Sequence, residues 1–227
     1  MKTYNELQEG VYDPNIFKAF FLAGGPGSGK SYVVRKTTGG TGLKTVNSDN
    51  AFEKLLKDAN LSLKMPDSET DARTPVRDRA KEITKKQQKN YLEGRLGLII
   101  DGTGHKFDKI AKQSNDLRQL GYDTHMIFVN TSLDVALERN AKRSRSVPES
   151  IVIKSWKEVQ ANIGKFNNHF KSEMIIVDNN VADEDIIKQA YKRIQSLLRK
   201  KINNTRNGSL KANKAMITTK YDLWLAL

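Results

Sequence analysis

Phe17-Lys18-Ala19-Phe20-Phe21-Leu22-Ala23-Gly24-Gly25-Pro26-Gly27-Ser28-Gly29-Lys30-Ser31 is the stretch that decides the fold. Residues 17–23 form an almost unbroken apolar run, as a strand buried on both faces requires. Residues 24–31 fit the pattern G-x-x-x-x-G-K-[ST]. Glycines at these spacings let backbone N–H groups curl around a phosphate without Cβ clashes. A helix starting at Lys30 points the positive end of its dipole at the same phosphate. Lys30 suits the β- and γ-phosphates as a point charge, and the Ser31 hydroxyl suits Mg²⁺. Gly24, Gly25, Pro26, Gly27, Ser28, Gly29, Lys30 and Ser31 are thus the candidate nucleotide cradle.

Outward from this loop, short apolar runs alternate with longer helical patterns. Strands are expected at 17–23, 43–46, 96–100, 125–129 and 174–177. Helices are expected at 30–37, 50–59, 75–93, 107–120, 132–143 and 183–200, with Pro75 as a helix-starting proline and a Ser/Asp-type cap at Ser132. Residues 60–74 read as a loop or insert. The alternation means βαβ units, hence a parallel sheet covered by helices on both faces. No internal repeat is visible.

Three further features lie where such a sheet presents its ligands, at the C-terminal ends of the strands. Asp49 follows the second strand, as a base for an attacking hydroxyl or a Mg²⁺ partner through water, or as the N-cap of the next helix. Asp101 follows Leu98-Ile99-Ile100, the position of the second acidic group that P-loop proteins offer to Mg²⁺, or of a turn aspartate before Gly102. Thr103 stands ready to orient either carboxylate, and His105 is read as a helix cap. The run Glu138-Arg139-Asn140-Ala141-Lys142-Arg143-Ser144-Arg145 puts Arg139 and Arg143 four apart on one helix face, with Arg145 beyond. Such arginines offset charge in phosphoryl transfer, or simply form a solvated basic helix end.

Composition narrows the classes. The 227 residues contain no cysteine, which removes disulfides, thiolate metal sites and cysteine nucleophiles together. Three scattered histidines make no metal site. No apolar run reaches membrane-spanning length, and the first residues lack the apolar core of a signal peptide, so a cytoplasmic setting is expected. The net charge is +13. Residues 188–227 hold ten Lys/Arg against one acid, Asp222, leaving +4 on residues 1–187. The expected division is a domain at 1–201 and a basic tail at 202–227 with an apolar end, Tyr221-Asp222-Leu223-Trp224-Leu225-Ala226-Leu227. A basic end attracts polyanions. No feature sets an oligomeric state.

The order of P-loop, strand-end Asp, apolar strand into Asp101-Gly102-Thr103 and arginine run resembles the polynucleotide kinase and zeta-toxin group of P-loop kinases, over roughly residues 17–180. The likeness is greatest to phage polynucleotide kinase and to predicted kinases of large tailed phages, which would place the protein in a host cytoplasm. Glu138-Arg139-Asn140-Ala141-Lys142-Arg143 with Val147-Pro148 is similar to that enzyme's lid. The resemblance implies an α/β P-loop kinase with a doubly wound five-stranded sheet in the order 2-3-1-4-5. It implies ATP and Mg²⁺ as cofactors, with Lys30, Asp49, Arg139 and Arg143 catalytic. Ser31 and Asp101 would hold the metal, and Arg143 would lie on the donor phosphates.

Two departures bear on the acceptor. Where polynucleotide kinase has an arginine for the acceptor's phosphate, this chain has Phe52, a flat apolar face suited to stacking. The lid is also one residue shorter between Arg143 and Pro148. A 5′-hydroxyl of RNA or DNA leads as acceptor. A nucleotide, nucleotide sugar or other small metabolite follows, as zeta toxins imply, and a non-catalytic NTP-binding interaction or virion protein is the third reading.

Overall fold

The apolar run at the start of the deciding stretch forms β1 (Lys18–Ala23), buried along its whole length. It is the central strand of a five-stranded sheet ordered β2-β3-β1-β4-β5. The computed structural model describes residues 15–64, 66–143, 147–181, 183–200 and 202, so Arg145 and the expected tail from 203 onward lie outside the described residues. The other strands are β2 (Lys44–Val46), β3 (Leu98–Ile100), β4 (Asp123–Asn130) and β5 (Met174–Asp178). All four pairings are parallel, with Ala19 beside Leu98 and Thr124, and Val46 beside Ile100. The expected order and sheet type are therefore both present.

Alternation along the strands feeds two cores. Ala19, Phe21, Ala23, Leu98, Ile100, Met126 and Phe128 point to one face, and Phe20, Leu22, Ile99, Ile127, Val129, Ile175 and Val177 to the other. The first face is covered by α4 (Phe107–Gln119), α6 (Glu149–Ala161) and α7 (Ile163–Phe170), through Ile110, Leu117, Val159, Phe166 and Phe170. Ile202 packs into this core as well. The second face is covered by α1 (Lys30–Thr38) and α8 (Glu184–Arg199), through Val33, Ala190, Ile194 and Leu197. A third, smaller cluster joins α2 (Ser48–Asp58) to α3 (Thr70–Glu93) by Phe52, Leu56 and Ala80. The remaining helix, α5 (Leu133–Ala141), follows β4 and is capped by Ser132, whose hydroxyl accepts from Val135 N.

Three differences from the sequence reading have plain causes. The sequence assigns no element between Pro148 and Met174, yet Val152, Val159, Phe166 and Phe170 are spaced to bury one side of α6 and α7. α3 begins five residues before Pro75, which therefore lies inside the helix rather than at its start. α5 stops at Ala141, short of Arg143.

At the N-terminal edge of the sheet, charge is buried. Lys18, with its side chain 2% exposed, donates to Asp123 Oδ2 at 2.7 Å and to the Lys200 carbonyl at 2.8 Å. His125 Nδ1 lies 2.8 Å from Glu173 Oε2, and Lys200 Nζ reaches Glu173 Oε1 at 3.0 Å. The His125 ring rests on Phe20, its centroid 4.7 Å away. Among the described residues no helix is long and apolar enough to cross a membrane.

Candidate active site

The opposite, C-terminal edge carries the polar loops. Residues 24–29 run from β1 into α1, with Gly29 as N-cap at φ 81°. Gly27 sits at φ 79°, and a Cβ there would collide with the backbone of Ala136 in α5. A Cβ on Gly29 would meet the side-chain amide of Asn179. Both positions need glycine for close approach as well as for the dihedral. The loop is held on two flanks: Gly24 N donates to Thr103 O at 2.9 Å, and Asn179 Nδ2 donates to Ser28 O at 2.8 Å. Ser28 Oγ is buried with no hydrogen-bond partner among the described residues. An orphaned hydroxyl costs about 1–3 kcal/mol, and a phosphate oxygen would satisfy it. The cradle therefore fits the group that the motif implies.

Lys30 Nζ donates to the Gly24 carbonyl, folding back onto its own loop. Burial pushes its ammonium below the usual lysine range; Asp101 opposes that, Arg143 adds to it, and Asp49 opposes it again. Burial likewise raises the Asp101 carboxyl, with Lys30 opposing and Asp49 adding. Lys30 thus lies in the field of Asp49, Asp101 and Arg143, which come from three other stretches of the chain. Ser31 and Asp101 are the residues that would hold Mg²⁺, and a hydroxyl with a carboxylate is a donor set of the oxygen type that this ion takes. Among the described residues no cluster of three acids or histidines could hold a metal alone.

Asn47 organises the two carboxylates. Its Oδ1 accepts from Asp49 N at 2.7 Å as the N-cap of α2, and its Nδ2 donates to Asp101 Oδ2 at 2.7 Å. The capping role weighed for Asp49 therefore belongs to Asn47. Asp49 sits in the first turn of α2, and its Oδ1 lies 2.7 Å from Arg77 Nη1 on α3. The Arg77 guanidinium also lies over the Phe52 ring, 4.7 Å from its centroid. Phe52 is 3% exposed, so the open stacking face expected of it is not there: the ring is core below and arginine above.

The arginine run splits. Arg139 Nη1 donates to Asn179 O at 2.6 Å and its Nη2 to Asn180 O at 3.3 Å, while Glu138 pairs with Lys142 instead. Arg143 lies beyond the C-cap Lys142, so the two arginines do not share a helix face as expected. Arg143 is exposed, and its charge reaches Lys30. Asn140 ties the ends of the run, donating to Val147 O at 2.8 Å and accepting from Val147 N at 3.2 Å. Thr103 Oγ1 is bonded to His105 Nδ1, so Thr103 orients neither carboxylate and His105 caps no helix; Lys106 takes the cap position.

Asn47, Arg77 and Asn179 were not singled out by the sequence. Asn47 had a signal, since asparagine between a strand and a helix is a favoured N-cap. Asn179 follows the fifth apolar run, where strand-end residues gather. Arg77 had none.

Comparison with known proteins gives a consistent family and fold. No curated protein matches the chain. Among solved structures, a gluconokinase from Sinorhizobium meliloti 1021 is 16% identical, with TM-score 0.50, covering 81% of this chain and 95% of that one. A chain of the Pnkp1/Rnl/Hen1 RNA repair complex is 21% identical, with TM-score 0.52, covering 68% of this chain and 47% of that one. A chain of the AvrRxo1-ORF1:AvrRxo1-ORF2 complex with sulphate ions is 13% identical, with TM-score 0.54, covering 90% and 76%. At such identities the likeness is one of fold. The family model for Zeta toxin matches residues 4–193, which include the loop, both aspartates and the arginine run, and on that match the protein belongs to the Zeta toxin family.

Proposed function

We propose that the protein is an ATP- and Mg²⁺-dependent kinase that moves the γ-phosphoryl group to a hydroxyl, with the 5′-hydroxyl of a polynucleotide as the leading acceptor. The observation that carries the kinase reading is the glycine loop with its orphaned Ser28 hydroxyl and its folded-back Lys30, beside which Asn47 ties the backbone of Asp49 to the carboxylate of Asp101, with the Arg143 charge in reach of Lys30. Those are the parts that phosphoryl transfer needs: a phosphate clamp, a base, a metal carboxylate and a mobile cation.

In this reading Lys30 leaves the Gly24 carbonyl for the β- and γ-phosphates, and the loop amides hold the β-phosphate. Ser31 and Asp101 would hold Mg²⁺, which when bound would neutralise charge on the phosphate oxygens. Asp49 takes the proton of the acceptor hydroxyl, Asn47 fixes its distance from Asp101, and Arg143 meets the charge that grows in the transition state. Arg139 is bound to the carbonyls of Asn179 and Asn180, and its share is to hold Asn179 under the loop.

The lid string supports a polynucleotide acceptor. The family match supports a second reading, a nucleotide or nucleotide sugar as acceptor. Incubating full-length protein with γ-labelled ATP, Mg²⁺ and 5′-hydroxyl DNA, 5′-hydroxyl RNA, nucleosides, nucleotides and nucleotide sugars decides between them. Label on an oligonucleotide end is the expected result. Label on no acceptor, with ATP intact, overturns the kinase reading.

A further inference from the structure

α6 is fastened to the ligand edge of the sheet at several points. Trp156 Nε1 donates to Thr131 O at 2.8 Å, and Gln160 Nε2 donates to Asn130 Oδ1 at 2.8 Å. A Cβ on Gly25 would come within 3.7 Å of the Trp156 Cα, so the helix backbone runs against the glycine loop. Val159 is buried in the first core. The helix is therefore a firm mount, and its C-cap is Asn162.

Asn162 is 7% exposed. Its backbone closes one helix and opens the next: its N donates to Val159 O at 3.1 Å, and its O accepts from Phe166 N at 2.9 Å. Its side chain caps neither helix. Instead Nδ2 donates to Gly104 O at 3.1 Å and to His105 O at 2.9 Å. A buried amide that gives both its protons to carbonyls of one irregular segment fixes where that segment lies.

The segment is Asp101-Gly102-Thr103-Gly104-His105, between β3 and α4. At its start Asp101 N donates to Val46 O at 3.1 Å. In its middle Thr103 O accepts from Gly24 N at 2.9 Å. Gly104, at φ 87°, passes so near β1 that a Cβ would stand 2.7 Å from that of Ala23. The segment is thus clamped between the first glycine of the phosphate cradle and Asn162.

Resting on the kinase reading above, we propose that Asn162 is a positioning residue for the metal, setting the distance between the Asp101 carboxylate and the phosphate cradle. Mg²⁺ demands near-ideal octahedral geometry with bonds of about 2.0–2.1 Å. A carboxylate and phosphate oxygens that share the ion must therefore be held in fixed relation. Asn47 orients the carboxylate itself. Asn162 holds the backbone that carries it, and with it the carbonyl that tethers Gly24.

The test titrates a β,γ-imido analogue of ATP into full-length protein by calorimetry, once with Mg²⁺ and once with EDTA. Wild type should bind the analogue more tightly with Mg²⁺. Asn162→Leu keeps the size of the side chain and donates nothing. Asn162→Ala leaves room for water at the two carbonyls and serves where the leucine variant does not fold. Each should bind the magnesium complex about 10- to 100-fold more weakly than wild type, the usual effect of losing a group that holds a metal ligand in place. Binding in EDTA should be nearly unchanged. Asn162→Gln keeps the amide on a longer stem and should recover part of the loss. Variants that keep the full gain from Mg²⁺, or that weaken binding equally in Mg²⁺ and EDTA, overturn the positioning role while the kinase reading stands. Wild type that gains nothing from Mg²⁺, or binds no analogue at all, overturns both.

Discussion

The two edges of the sheet both gather charge, and they do so in opposite ways. At the N-terminal edge Lys18 meets Asp123 and the Lys200 carbonyl, and Glu173 meets His125 and the Lys200 ammonium, with Lys18 and His125 buried. At the C-terminal edge Lys30 leans on a loop carbonyl, Asp49 on an arginine open to water, and the Ser28 hydroxyl meets no described partner. Burial does not separate the two edges, since Lys18 and Ser28 are each about as hidden as the other. The kind of partner does. At the N-terminal edge Lys18 faces Asp123, and Glu173 faces His125 and Lys200, even though the His125 nitrogens and Glu173 Oε2 make no well-aligned hydrogen bond. At the C-terminal edge Lys30 meets only loop carbonyls among the described residues. Charges paired with opposite protein charges finish a fold, whereas charges with exchangeable partners are arranged for a ligand.

The comparison breaks first at Lys30. Lys30→Ala should lower kcat for phosphoryl transfer by about 10³-fold or more, since the clamp acts where charge develops. Its melting temperature should stay near that of the wild type, because the lysine is bonded to its own loop and to no core group. Turnover close to wild type would remove the C-terminal edge from the chemistry.

Lys18→Met probes the other edge and should show the reverse profile. Asp123 would be left without its ammonium partner, which costs about 3–5 kcal/mol when the pair is buried. Thermal melting should drop by more than about 6 °C, while kcat measured well below the transition stays near wild type. The double variant Lys18→Met with Asp123→Leu should regain most of the loss, because the two charges of the buried pair are then removed together. A mild effect of Lys18→Met alone would mean that the N-terminal edge is less dry than its packing indicates.

The arginine run sharpens the contrast within a single segment. Arg143→Ala should lower kcat by about 10²-fold with little change in melting, as for the loss of one transition-state donor. Arg139→Ala should lower kcat less and melting more, since its guanidinium is tied to two backbone carbonyls. Equal and small effects at both would make the run a solvated helix end.

The smallest effect is the acid response of the N-terminal edge. Burial lowers the His125 pKa, so the native state resists a proton that the unfolded chain accepts near pH 6.5. The hydrogen bond from His125, with Lys200 beside it, holds the Glu173 carboxyl down to about 2, whereas an unfolded glutamate titrates near 4.3. Both shifts make the unfolded state bind more protons, so stability is present at neutral pH and declines as pH falls through 6.5 and again below 4.3. Melting should drop by about 2–4 °C between pH 7 and pH 5. His125→Gln should remove the upper step, and should weaken the lower one too, since the imidazole is the main group holding the Glu173 carboxyl down. A melting temperature that rises on acidification would contradict the assignment.

Much of this was legible because it is local. The glycine loop, Asp101 after its apolar run and the cap at Ser132 depend on a few adjacent residues, and each stands where the spacing predicts. What escaped depends on docking. α3 carries Arg73, Arg77, Arg79, Lys81, Lys85, Lys86 and Lys89. Which of them meets Asp49 is set by how Ala80 packs on Phe52 and Leu56, 24 or more residues away in sequence. Phe52 misled for the same reason: its type suggests a stacking surface, and only the third core shows that both its faces are spoken for. The segment of α6 and α7 went unassigned although its apolar spacing is helical.

Asn47 sets a rule of tolerance for its position. It must accept from a backbone amide on one side and donate to a carboxylate on the other. Aspartate could cap α2 equally well, but it would add a third negative charge between Asp49 and Asp101 and donate nothing. Serine caps too, yet a single hydroxyl on a short stem cannot serve both neighbours at once. Only a primary amide of this length supplies both polarities. The alphabet open to position 47 therefore shrinks to one letter, although neither helix stability nor charge balance alone would narrow it so far.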